Sequence, residues 1–370
     1  MIAGSATTNG TANFAKRTPK VAKNHFKQFA GLTLSSIGIG TYLGNPDDDT
    51  DLLVKEAIKK SVMAGINVID TAINYRSQKA ERSVGRAVIE LIREGTISRD
   101  ELFISTKNGY ITNDGDVKED FWENIQNVLV KPGIIKSGDI SSGYHCMTIP
   151  YLQDQLNRSL RNLGVECIDL MYLHNAAEGQ LQDISKEEFM KKMRDVFEFY
   201  ESQRKSGKIR YYGMATWDCF RVPQDHPQYI SISDVIRLAR EVGGTDNGFR
   251  FIQLPYNMYF DQALTLKNQV LDGDHCTILQ ASVNLGIGVF ASVPLMQAKL
   301  LAPNVLPEFG GLLRPSHRAL QFVRSTPGII APVVGQKSPA HIEENLQLTN
   351  TSVLSEAEFS ELVNKISSQL

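Results

Sequence analysis

Asp70 and Tyr75 stand five residues apart in IDTAINYR, where an apolar run stops on an acid and passes into a polar turn. Lys107 ends the run LFISTK, and His174 falls near the end of IDLMYLHN. These four side chains suit proton transfer to a developing alkoxide. A tyrosine with a pKa of about 10 is a poor acid at neutral pH, and a nearby ammonium favours the phenolate and lowers that pKa. Lys107 can supply the charge, Asp70 can pair with it, and neutral His174 can donate a hydrogen bond to a carbonyl oxygen. Each residue also has a plainer reading: Asp70 as a helix cap, Tyr75 as packing, Lys107 as a surface lysine and His174 as a core histidine. Their recurrence at successive run ends argues for a shared purpose.

The elements that must position them repeat one unit. Short runs rich in Val, Ile and Leu alternate with stretches of helical periodicity, which is the signature of βαβ construction. The runs are LSSIGIGTY, NVIDTA, LFISTK, IDLMYLHN, IRYYGMAT, FRFIQLPYN, IGVFASVPL and IIAPVVG, and eight is the number that closes a (β/α)8 TIM barrel. IPYLQDQLNRSLRNLG stacks Leu152, Leu156, Leu160 and Leu163 on one face and ends on Gly164, a C-terminal cap. DLLVKEAIKKSVMAG and ISISDVIRLAREVGG have the same form. No second pattern marks another domain, so the expected α/β architecture is a flexible basic arm over 1–28 and one barrel over 29–370. The stretch 110–148 is too long for a simple connection and is expected to fold over one end as an insertion after the third strand. Such barrels carry their chemistry at the C-terminal ends of the strands, where Thr216, Gln253 and Ser292 join the four residues above.

The bulk properties exclude several classes. The 370 residues are 42% hydrophobic and 22% charged with a formal charge of -2, which leaves no nucleic-acid footprint. No apolar run approaches the roughly 20 residues of a membrane span. Cys146, Cys167, Cys219 and Cys276 lack CxxC spacing, so neither a zinc site nor a disulfide framework is expected, and reduced thiols point to a cytoplasmic setting. The acid-free start, with Lys16, Arg17, Lys20, Lys23 and Lys27, weakly resembles an organelle transit peptide; the plainer reading is a disordered arm.

GIGT at 38–41, DTAINY at 70–75, STKNG at 105–109, SLRNLGVECIDLMYLH at 159–174, IQLPYN at 252–257 and EENL at 343–346 together resemble an aldo-keto reductase over roughly residues 29 to 350. The resemblance implies NAD(P)H-dependent reduction of an aldehyde or ketone, or the reverse, with Asp70, Tyr75, Lys107 and His174 as the tetrad and Tyr75 as general acid/base. It implies cofactor contacts from Gly40 and Thr41, from Thr216 and Gln253 around the nicotinamide, and from Leu295 and Gln297 along the pyrophosphate. Gly335, Lys337, Ser338, His341, Glu344 and Asn345 would meet the adenosine end, with NADP favoured over NAD because Lys337 can meet a 2′-phosphate. Several positions depart from the family: Ala215 and Thr216 replace a Ser-Asn pair, Ser292 replaces the tyrosine that stacks on nicotinamide, Ala298 and Lys299 replace the usual small and apolar residues, and His341 stands where many relatives have arginine or glutamine. Tyr42, Tyr110, Trp217 and Tyr256 are expected to line the entrance for a small carbonyl or alcohol substrate. Two other classes remain open: a cofactor-binding regulatory or scaffold subunit with little turnover, like the channel subunits that resemble this family, and a Schiff-base aldolase using Lys107. Oligomeric state is left open.

Overall fold

Parallel strands buried on both faces need helices covering each side of their sheet. The computed structural model, which describes residues 1–18, 20–303 and 305–367, forms that sheet from the eight runs. An antiparallel hairpin of β1 (Phe26–Phe29) and β2 (Leu32–Ser35) precedes it. The barrel runs through β3 (Gly38–Gly40), β4 (Val68–Asp70), β5 (Phe103–Asn108), β6 (Ile168–His174), β7 (Ile209–Ala215) and β8 (Phe249–Pro255). After a second hairpin, β9 (Gln269–Leu271) and β10 (Asp274–Cys276), the strands β11 (Gly288–Ser292) and β12 (Ile329–Gly335) complete the ring, with β12 pairing with β3. The helices fall where the periodicity puts them, among them Asp48–Met63, Ile149–Leu163 and Ile232–Gly243. Gly164 caps the second at φ 68°, in the left-handed conformation a glycine adopts without strain.

One end of the barrel is plugged by the first hairpin. Leu32 and Leu34 join Val68, Phe103, Leu170, Phe251 and Phe290 in one buried cluster, and Phe29 meets Phe251 edge-on at 5.1 Å. Asn67 ties plug to barrel, accepting from Ser35 N–H and donating to Thr33 O. The opposite end stays open at the C-terminal ends of the strands.

The arm expected to be flexible over 1–28 is folded in its described residues. Its helix Thr8–Lys16 is capped by the Thr7 hydroxyl and buries Gly10, Thr11 and Phe14. Ala6 N–H donates to Asp169 at 2.6 Å, and Arg17 grips Glu101 through two hydrogen bonds at 2.8 and 2.7 Å. A Cβ on Gly10 would lie 2.3 Å from the Asp100 carbonyl oxygen, so glycine permits the close approach. The acids that receive the arm thus sit some 80 to 160 residues downstream. The hairpin also crosses the expected 28/29 boundary, and residues 368–370, with which the barrel was expected to end, lie outside the described residues.

The segment 110–148 folds on the open rim through a short helix, Phe121–Ile125, and a π-turn, Gln126–Val130. Among the described residues no helix is long and apolar enough to cross a membrane.

Candidate active site

Parallel register brings three of the four chemical side chains to one rim, with β4 ending on Asp70, Lys107 on β5 and His174 ending β6, and Tyr75 follows in the turn after β4. Lys107 Nζ donates to Asp70 Oδ2 at 2.6 Å and to Thr71 O at 2.8 Å. The other carboxylate oxygen accepts from Ser105 Oγ at 2.8 Å and Gln253 Nε2 at 2.9 Å, so the buried ion pair is satisfied on both oxygens. The ammonium lies over the Tyr75 ring, 4.7 Å from its centroid, and the His174 ring meets Tyr75 edge-on at 5.8 Å.

The electrostatics differ from expectation at Tyr75. Burial pushes its hydroxyl above the ordinary phenol value; Lys107 pulls it back and Asp70 adds to the rise, leaving a net increase. The phenol is therefore not made unusually acidic in the free protein. Burial also opposes the charge on Lys107, but Asp70 and Tyr75 outweigh it and raise its pKa, so it stays an ammonium. His174 is held neutral, first by burial and then by Lys107 and His145. Its Nδ1 is buried without a partner, and an orphaned lone pair costs less than an orphaned N–H, which puts the ring proton on Nε2.

Tyr75 sits on a strained turn. Arg76, Ser77 and Gln78 all have positive φ, at 49°, 52° and 72°. The turn is held by buried Arg76, which donates to Asp51 at 2.7 Å and to Ser83 at 2.9 Å; Lys79 and Arg86 converge on the same carboxylate. Asp51 lies in the first turn of the Asp48–Met63 helix, and its sequence context, DDDTDLL, gives no sign of this second duty.

The rim opens into a cavity of about 630 Å³, within the range of ligand sites. Asp70, Tyr75 and His174 line one part of it, with Tyr42, Tyr110 and Trp217 around them. It continues past Gly40, Thr41, Thr216, Gln253, Ser292, Leu295 and Gln297 to Gly335, Lys337, His341, Glu344 and Asn345. Two expected residues are elsewhere. Tyr256 does not line the cavity: it is fully buried, stacked on Phe322 at 5.8 Å, and its hydroxyl accepts from Thr326. Ser338 does not line it either, but caps the Pro339–Leu346 helix by accepting from His341 N–H. Asn74, Asn175 and Gln336 line the cavity and were not singled out; Asn175 directly follows His174, and Gln336 lies between Gly335 and Lys337. Gln336 bridges Asn345 and Ser61, and Glu344 binds Ser316 and Arg314, so the Glu344 and Asn345 side chains already have protein partners.

Residues present fit a dinucleotide. Gly40 and Gly335 face each other across β3 and β12, leaving backbone bare where a ligand would pass. Thr216 Oγ1, on the same cavity wall, is buried with no hydrogen-bond partner beyond the Cys219 thiol at its side. Residues 36–308 match the sequence profile of the Aldo/keto reductase family. The chain belongs to this family. An uncharacterized oxidoreductase of Bacillus subtilis is 22% identical over 337 residues, covering 90% of this chain and 92% of the relative. The NADH-specific methylglyoxal reductase of Escherichia coli is 26% identical over 203 residues, 54% of this chain and 53% of the relative. An aldo/keto reductase from Klebsiella pneumoniae, solved with NADP and acetate, shares the fold with a TM-score of 0.60 at 19% identity, covering 92% of this chain and 94% of that one. Against the pattern of the aldo/keto reductases, Ser292 offers no aromatic face, and Val293, Pro294 and Leu295 continue the wall beside it.

Proposed function

We propose that the protein reduces an aldehyde or ketone to an alcohol with NADPH, or runs the reverse reaction, with Tyr75 as general acid/base. The observation that supports this reading most is the Tyr75 phenol on the cavity wall with the Lys107 ammonium against its ring. Bound NADPH would supply a hydride to the carbonyl carbon. Tyr75 gives its proton to the oxygen as charge develops there. His174, neutral with its proton on Nε2, donates a second hydrogen bond to the same oxygen. Lys107 stabilises the phenolate left behind, and Asp70 holds Lys107 in place.

Thr216 and Gln253 would hold the carboxamide, with Gly40, Thr41, Ser292, Leu295 and Gln297 along the dinucleotide. Lys337, at the start of the Pro339–Leu346 helix, favours NADP over NAD through a 2′-phosphate, and Ser338 and His341 shape that helix end. Glu344 and Asn345 would bound the adenine. The substrate is a small carbonyl compound among Tyr42, Tyr110 and Trp217. The test is the loss of absorbance at 340 nm with a panel of aldehydes and ketones and either NADPH or NADH. Turnover with a lower KM for NADPH, raised in Lys337→Met while the KM for NADH is unchanged, is expected. No turnover with any carbonyl would overturn the reading.

A further inference from the structure

The 110–148 segment is closed at its neck. Ile111 N–H donates to Tyr144 O at 2.8 Å, Cys146 N–H donates to Gly109 O at 2.9 Å, and Tyr110 pairs with His145 in an antiparallel bridge. His145 is fully buried at this neck, directly behind the catalytic rim. Its Nε2 lies 2.9 Å from the main-chain carbonyl oxygen of His174, and its Nδ1 lies 3.1 Å from Gln180 Nε2.

The network sets the tautomer. The Gln180 amide nitrogen also donates to His145 O at 3.1 Å, an atom that can only accept, so the orientation of that amide is determined. His145 Nδ1 must then accept, and the ring proton sits on Nε2, pointing at His174 O. Burial draws the pKa of His145 down to about 4, which keeps the ring neutral. A slot of two glycines receives the ring: a Cβ on Gly109 would come within 2.3 Å of it, and one on Gly179 within 2.7 Å of its own Cβ.

The peptide joining His174 to Asn175 is consequently held at both polar groups. Its carbonyl is bound by His145, and its N–H donates to Ala215 O at 2.6 Å. The His145 ring also meets the Tyr110 ring edge-on at 5.5 Å, and Tyr110 meets His174 at 5.0 Å. We propose that His145 is a positioning residue for carbonyl reduction: its Nε2–H holds the His174 main chain, and its ring backs Tyr110, so that one side chain of the insertion sets two walls of the reaction cavity. A displacement of about 1 Å in a group that must meet the substrate oxygen can cost a hundredfold in rate.

The test pairs two variants with one spectrum. His145→Gln keeps an N–H near the same place, and His145→Leu removes it. The expected result is a kcat lowered about tenfold to a hundredfold in His145→Leu, substantially restored in His145→Gln, with the KM for NADPH unchanged in both. In wild-type protein labelled with 15N-histidine, long-range proton–nitrogen correlations at pH 7 should show His145 neutral and protonated on Nε2. A proton on Nδ1, equal losses in the two variants, or a loss that follows NADPH affinity would overturn the proposal. The inference rests on the reductase reading, but the spectrum needs no turnover. A protein inert toward every carbonyl contradicts that reading, while the His145 assignment is judged by the spectrum alone.

Discussion

The Lys107 ammonium lies over the Tyr75 ring, 4.7 Å from its centroid, while bonded to Asp70 at 2.6 Å. Its charge therefore serves two neighbours of opposite need. It is neutralised by the carboxylate in the resting protein, and it faces the phenol that gains negative charge when a proton leaves. The net raised pKa of Tyr75 makes the free protein a poised donor rather than a pre-formed phenolate.

Breaking the ion pair should be costly. Asp70→Asn leaves Lys107 without its counter-ion at 0% exposure, and loss of one partner of a buried pair destabilises by about 3–5 kcal/mol. Urea unfolding at pH 7 should show that loss, partly recovered in Asp70→Asn/Lys107→Met. A change below about 1 kcal/mol would place the pair in the range of exposed salt bridges.

The pH dependence of turnover follows from two shifts. A phenol raised above its ordinary value stays protonated to higher pH, and a histidine lowered below its ordinary value stays neutral to lower pH. Reduction should therefore run at a constant kcat/KM for the carbonyl from about pH 6 to about pH 9, and kcat/KM for alcohol oxidation, which needs the phenolate, should rise across the same interval. A reductive limb falling below pH 9 would contradict the assignment.

Acid should weaken the fold through its buried imidazoles. His25 and His145 are each drawn from 6.5 to about 4, mainly by burial. Below pH 6.5 the unfolded chain takes up protons that the folded chain refuses until about pH 4. Their contribution is thus complete above 6.5 and lost as pH falls through that window, by up to roughly 3 kcal/mol per ring. Urea midpoints should fall between pH 7 and pH 4.5, with a shallower slope in His25→Gln. An identical slope in that variant would contradict the account.

The N-terminal helix should behave as core. Phe14 is 1% exposed, packs edge-on against Phe26 at 6.1 Å and lies under the Arg17 guanidinium at 5.2 Å. Phe14→Ala should cost about 3–5 kcal/mol in urea unfolding. A neutral result would restore the flexible arm.

The barrel was legible because each strand leaves a run of its own, and the grouping of Asp70, Lys107 and His174 on one rim because they close successive runs, with Tyr75 just beyond the first of them. Other features depend on distance in the chain. The arm looked unpartnered because Asp100, Glu101 and Asp169, which receive it, lie far downstream. Tyr256 was misplaced by side-chain alternation: Gln253 faces the cavity, and a residue three positions on turns outward toward Phe322. The Tyr75 pKa was misjudged because a sequence displays the charged neighbour but not the burial that opposes it.

The rate of carbonyl reduction by Tyr75→Phe, followed at 340 nm with saturating NADPH, tests the central claim most directly. The ring, its packing and the Asp70–Lys107 pair remain while the proton is removed, so kcat should fall by at least about a hundredfold with NADPH affinity preserved. A variant that turns over within about threefold of wild type would show that the proton comes from elsewhere.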